Sequence, residues 1–168
     1  MSPLAEHDRY ARFFDDLVRA YADAHGLELE KLGQTTWKRK AVEKGAEADA
    51  CYYVLSAIRI IGKRTIDLDS DPPPDIVVEI DTTRSSLRKF AIYAALSVPE
   101  IWRYDGQAVE IYKLNEGRYT TIPESQFLPR LTGQMLAESL ELSKTQGQKT
   151  ALNIFRRRIR SRRKQEKP

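Results

Sequence analysis

Cysteine, histidine and long apolar runs are what this sequence of 168 residues has least of. Its one cysteine, Cys51, excludes an intrachain disulfide and a cysteine-based metal site. Set within "ACYYVL", it reads as a packed small hydrophobe. The only histidines, His7 and His25, both fall near one end, which argues against a His-based metal site. No apolar run approaches the ~20 residues that span a bilayer. The opening "MSPLAEHDRY" carries charge where a signal peptide needs an apolar stretch. A cytoplasmic protein with no membrane partner is the expectation. Internal repeats are lacking too, as is any linker long enough to separate two domains.

What is present describes a folded protein. Hydrophobic residues at 41% and charged ones at 31% suit a soluble chain that can bury a core at this length. The net charge of +4 hides an asymmetry. The last stretch, "RRRIRSRRKQEKP", holds eight of the 28 basic residues and one of the 24 acidic ones, a local +7. The rest keeps 20 basic and 23 acidic residues, a net −3. Residues 1–155 are therefore expected to form one domain, and 156–168 a basic tail continuing the last helix. Such a tail points to a polyanionic partner or to a merely solvated arm.

Along the chain, Leu4, Tyr10, Phe13, Phe14, Leu17, Val18 and Tyr21 recur at helical spacing over 4–24, and Gly26 stops that helix. Residues 27–40 alternate enough for two short extended segments around Gly33. "DACYYVL", 49–55, reads as a strand, followed by a looser connector ending in "DSDPPP". Residues 75–81 form the next strand. A helix follows, capped by Ser85 or Ser86, with Leu87, Phe90, Ala91, Ala94 and Ala95 on its apolar face. "EIWRYD", "AVEIYKLN" and "GRYTTI" are further strands, and two helices, 134–143 and one from about 149 into the arginines, close the chain. This order predicts a mixed sheet flanked by helices, with a crossover making 75–81 and 100–104 parallel neighbours.

The strand "PPPDIVVEID" poses the functional question. Acids are poor strand formers and costly to bury unpaired, yet Asp75, Glu79 and Asp81 share one face with Val77. Ile76, Val78 and Ile80 share the other, which is expected to pack under the crossover helix. A solvent-facing edge would account for the acids, but a strand with a crossover on one side and a hairpin before it should be central. "GAEADACYY" adds Glu47 and Asp49, read as two acids on one face of the preceding strand. If the two strands are neighbours, up to five carboxylates gather on one side of the sheet. Such a cluster calls for a cation, and oxygen ligands with no competing Cys or His set suit Mg²⁺ or Mn²⁺. Asp75 and Glu79 stand ~13 Å apart on an ideal strand, whereas adjacent strands lie ~4.8 Å apart. Asp49 with Glu79 is thus the preferred pair, and Asp75 joins only if the strand entrance bends or a water intervenes.

The run "EADACYYV" with "PPPDIVVEIDTTRSSLRKFAIYAALSVPEIWRYD" resembles the Uma-type family of putative restriction endonucleases, within the PD-(D/E)XK nuclease superfamily. The resemblance covers nearly the whole chain. It implies a restriction-endonuclease-like α/β fold, a mixed sheet with an α-β-β-β-α-β core, flanking helices and a C-terminal helix. It also implies an endonuclease that hydrolyses DNA phosphodiesters with Mg²⁺ or Mn²⁺ held by Asp49, Asp75 and Glu79. The superfamily's lysine slot, two residues after the acid, holds Asp81 here. The resemblance implies that the lysine has migrated to the following helix, where Lys89 fits; a plain surface lysine beside Arg88 is the other reading. Trp37 with Lys38, Arg39 and Lys40 is a candidate for phosphate contact, as are Arg156, Arg157 and Arg160 of the tail. Trp102, Arg103 and Tyr104 read as core and sheet packing. DNA is the expected partner, with a second copy of the chain as an expected assembly. An inactive nucleic-acid-binding module that kept the fold is the alternative that Asp81 leaves open.

Overall fold

The computed structural model describes residues 5–33, 35–39, 42–82 and 85–164. Chain order is α1 (Ala5–His25), β1 (Glu30–Leu32), β2 (Thr35–Arg39), β3 (Val42–Ala48), β4 (Ala50–Tyr53), β5 (Ile76–Ile80), α2 (Phe90–Ala95), β6 (Glu100–Tyr104), β7 (Val109–Asn115), β8 (Arg118–Ile122), α3 (Gly133–Gln146) and α4 (Gln148–Lys164). Six strands form one mixed sheet in the order β1-β4-β5-β6-β7-β8, and β2 with β3 forms a separate hairpin. The α-β-β-β-α-β core is α1, β1, β4, β5, α2 and β6. β5 is central, antiparallel to β4 and parallel to β6.

α1 begins the packing. Phe13, Phe14, Leu17 and Val18 are fully buried, and burying each such side chain contributes ~1.5–3 kcal/mol. Its end is set by Gly26 at φ +66°, which lets the Leu27 N–H return to the Ala22 carbonyl at 3.0 Å. α1, α3 and α4 cover one sheet face, where Tyr52, Ile76, Val78, Ile80, Trp102 and Tyr104 form the larger core. The other face carries Cys51, Tyr53, Val77 and Ile101, packed under Tyr93, Leu96 and Val98 and under Trp37, Ala46 and Ala48 of the hairpin. Cys51 is the buried hydrophobe its context indicated, and burial pushes its thiol up to about 12.

Three expectations are corrected. The Ile76, Val78 and Ile80 face packs against α1, α3 and α4, not under the crossover helix. α2 has six residues, too few to cover a central strand, whereas the long apolar stripe of α1 can. Secondly, the crossover opens as a 3-10 turn, Leu87–Lys89, and turns Tyr93 and Leu96 inward while Leu87 stays 52% exposed. Ser85 Oγ accepts from Leu87 N at 3.3 Å, and the Ser86 side chain makes no cap bond. Thirdly, Glu47 and Asp49 do not share a strand face. Glu47 lies near the end of β3, and Asp49 sits at the bend where the chain leaves the hairpin for the main sheet.

Candidate active site

Register places the acids. Ala50 pairs with Val78, and the Asp49 N–H donates to the Val78 carbonyl at 3.1 Å, so Asp49 stands beside Glu79. One oxygen of Asp49, Oδ2, accepts the Ile80 N–H at 2.8 Å. The same atom lies 3.3 Å from His7 Nε2 in the first turn of α1. Glu79 points to the α2 side and is only 2% exposed. Tyr93 donates to Glu79 Oε1, and Lys89 Nζ donates to Oε2 at 2.8 Å and to the Glu47 carbonyl at 2.8 Å. Lys89, at the end of the 3-10 turn, thus reaches back over the strand, and its 36% exposed side chain remains open to solvent.

The electrostatics follow from this packing. Burial pushes the Glu79 carboxyl up to about 7, and the Asp49 charge adds to the rise, although Lys89 and Tyr93 pull against it. Burial, with Glu79 beside it, pushes the Tyr93 phenol well up as well. A carboxyl held near neutrality beside a second carboxylate is an arrangement that a cation would relieve.

The other two acids of the β5 region are committed elsewhere. Asp75 Oδ2 accepts from Val54 N at 2.7 Å and Ser56 N at 2.9 Å, and Oδ1 accepts from Ser56 Oγ at 2.8 Å. It pins the loop after β4 at the end of β5 away from Glu79. Asp81 accepts from Arg103 Nε at 2.6 Å and from Ser86 N at 2.9 and 3.0 Å. Among the described residues, no group of three or more His, Cys, Asp or Glu side chains converges as a metal site. Two carboxylates are nonetheless a sufficient protein contribution for Mg²⁺, which keeps several waters and shares substrate phosphates. The pair Asp49 and Glu79 fits that description.

The candidate DNA contacts divide by position. Trp37 is buried at 2% exposure, packed 6.1 Å from Tyr53 in a tilted edge contact, so it is not available to a phosphate. Lys38 is exposed and lies against Gly45, where a Cβ would come within 2.8 Å of its Cγ. Gly45 is two residues from Glu47, roughly 7 Å along the strand. Lys40 lies outside the described residues. Arg156, Arg157 and Arg160 are exposed on α4. Arg156 and Arg160 line a small cleft with Ala20, Asp23 and Ala24 of α1. α4 starts near the start of α1, where Gln148 Nε2 donates to the Arg9 carbonyl at 3.3 Å. It therefore runs along α1 toward the far end. From His7 to Asp23 is sixteen residues, roughly 24 Å of helix. Arg156 and Arg160 are thus not brought together with the carboxylates.

Two neighbours of the site escaped the sequence reading. His7 figured only as one of two histidines near one end, and nothing in its local pattern signals that the first turn of α1 ends against Asp49. Arg103 read as sheet packing, which holds for Trp102 and Tyr104, both buried. Yet Arg103 aligns with Glu79 across the parallel pair and joins Asp81 and, at 3.1 Å, Glu110. That position follows from alternation once the β5–β6 register is fixed.

A model of the Uma2 family, described as "Putative restriction endonuclease", matches residues 1–145. A search of curated proteins finds no match.

Proposed function

This chain belongs to the Uma2 family of putative restriction endonucleases, and from that premise we propose that it hydrolyses DNA phosphodiester bonds with a divalent cation, Mg²⁺ or Mn²⁺. The observation that carries the reading is the buried Glu79 carboxyl, raised to about 7 beside Asp49 and gripped by Lys89 and Tyr93. Asp49 and Glu79 would hold the ion. When bound, such an ion lowers the pKa of water and neutralises charge on the attacked phosphate.

The residues of the chain do the rest. Tyr93 fixes one Glu79 oxygen by its hydrogen bond, so the carboxylate keeps a single orientation. The Ile80 N–H and His7 hold Asp49 in the same manner. With a cation held at Glu79, Lys89 would no longer be needed to neutralise that carboxylate, and its ammonium would be free to stabilise negative charge on a non-bridging phosphate oxygen. Lys38 supports the approaching backbone from the hairpin. Neither Asp75 nor Asp81 is needed as a ligand, because the hydrogen bonds of both are satisfied within the chain.

Incubation of supercoiled plasmid with Mg²⁺, Mn²⁺ or EDTA, beside Glu79→Ala, tests the reading. Nicked or linear DNA is expected with metal and parent protein only. Intact plasmid in both metals, or equal cleavage by Glu79→Ala, would overturn it.

A further inference from the structure

We propose that Asp81 is a positioning residue for Lys89, anchoring the turn that aims the lysine at Glu79. The inference rests on the reading of Lys89 as the cation of the nuclease site. Asp81 follows β5 directly, and its N–H donates to the Tyr104 carbonyl at 2.7 Å, so its backbone is fixed to the sheet. Its side chain is 3% exposed and ion-paired with Arg103, 2.6 Å away. Arg103 is in turn held by Glu110, and Tyr112 OH donates to Glu110 at 2.7 Å. Both oxygens of this rigidly held carboxylate accept the Ser86 N–H, at 2.9 and 3.0 Å.

Ser86 begins the turn that carries Lys89, whose own N–H donates to the Ser86 carbonyl at 2.7 Å. A short relay therefore runs from Arg103 on β6, through Asp81 and Ser86, to Lys89 and Glu79. The first turn of this crossover has no side-chain cap at Ser86. Asp81 supplies from the strand an acceptor for the N–H of Ser86 itself, the group that the third residue of a capping box would otherwise hold. An acid at the exit of a central strand is thereby accounted for without making it a metal ligand.

A double-substitution cycle in EDTA, without DNA, tests this. Urea unfolding is measured for the parent, Lys89→Met, Asp81→Ala and the double variant. If Asp81 aims Lys89, the fold-loss in the folding constant caused by Lys89→Met should shrink at least about threefold in the Asp81→Ala background. Asp81→Asn still offers an oxygen to Ser86 and should retain the coupling. An identical effect of Lys89→Met in both backgrounds would overturn the proposal, as would Asp81→Asn losing the coupling as fully as Asp81→Ala. Should Asp81→Ala not fold, Ser86→Pro removes the N–H together with a buried hydroxyl that has no hydrogen-bond partner, at a φ of −85° close to what proline adopts, leaves the Asp81–Arg103 pair, and takes its place with the same outcomes. Failure of the parent to cut plasmid would overturn the nuclease reading and leave this coupling measurable. Lost coupling beside active cleavage would overturn the positioning role alone.

Discussion

Asp75, Glu79 and Asp81 lie on or beside β5, with Asp49 across from Glu79, and their hydrogen bonds give them different work. Asp75 and Asp81 each accept three contacts from the chain, while Glu79 is buried with one lysine and one phenol against it. Lys89 ligates no Mg²⁺, so Lys89→Ala should preserve the metal-induced rise in Tm and cut the cleavage rate by about 10²–10³. An unchanged rate under saturating metal would remove Lys89 from the mechanism. Glu79 makes a second prediction. Its carboxyl titrates near 7 in the folded protein and close to the ordinary 4.5 when unfolded, so the native state binds the extra proton between those values. Stability of the metal-free protein should fall as pH rises from about 4.5 to 7, by on the order of 3 kcal/mol, and level off above. Urea unfolding in EDTA at pH 5 and pH 8 measures the fall, and Glu79→Gln should flatten it. A pH-independent parent would contradict the burial argument.

At the scale of elements, periodicity and punctuation made most of the fold legible. Gly26 ended α1, the prolines delivered an extended β5, and a last helix was expected from about 149 into the arginines, where Phe155 and Ile159 are buried. Which layer covers which sheet face was not legible, because both faces of β5 are buried, the acidic one included, and only the relative lengths of α1 and α2 decide. The strand β3 was missed because its end, "GAEA", lacks β-branched residues, and pairing with β2 rather than local preference sets it. The site was legible as a pair across strands, Asp49 and Glu79, and as a lysine one turn into the crossover. The separate duties of Asp75 and Asp81 were not, since they depend on backbone N–H groups of loops 54–56 and 85–86 that carry no side-chain signature. Asp75→Ala leaves two N–H donors and a hydroxyl without their acceptor. It should destabilise the protein by a few kcal/mol in urea unfolding. Unchanged stability would show that the loop needs no anchor.

For the whole molecule, charge and shape pull apart. The −3 body houses the carboxylate site, and the +7 tail extends an α4 whose basic half lies near the far end of α1. A DNA duplex reaching the tail from the carboxylates would have to span roughly 20–25 Å of the protein surface. Truncation after Ile159 removes Arg160, Arg162, Arg163, Lys164 and Lys167 but keeps the docked face. If about four of these cations meet phosphates, the slope of log K against log salt should flatten by roughly 3–4, with the metal response retained. Equal slopes would show the tail to be solvated. The division of labour among the acids is tested most directly by calorimetric titration of Mn²⁺ into the parent, Asp49→Ala, Glu79→Ala and Asp75→Asn proteins, without DNA. Binding should be lost in the first two variants and kept in Asp75→Asn. Binding that survives Glu79→Ala, or vanishes in a folded Asp75→Asn protein, would contradict a cation held by Asp49 and Glu79.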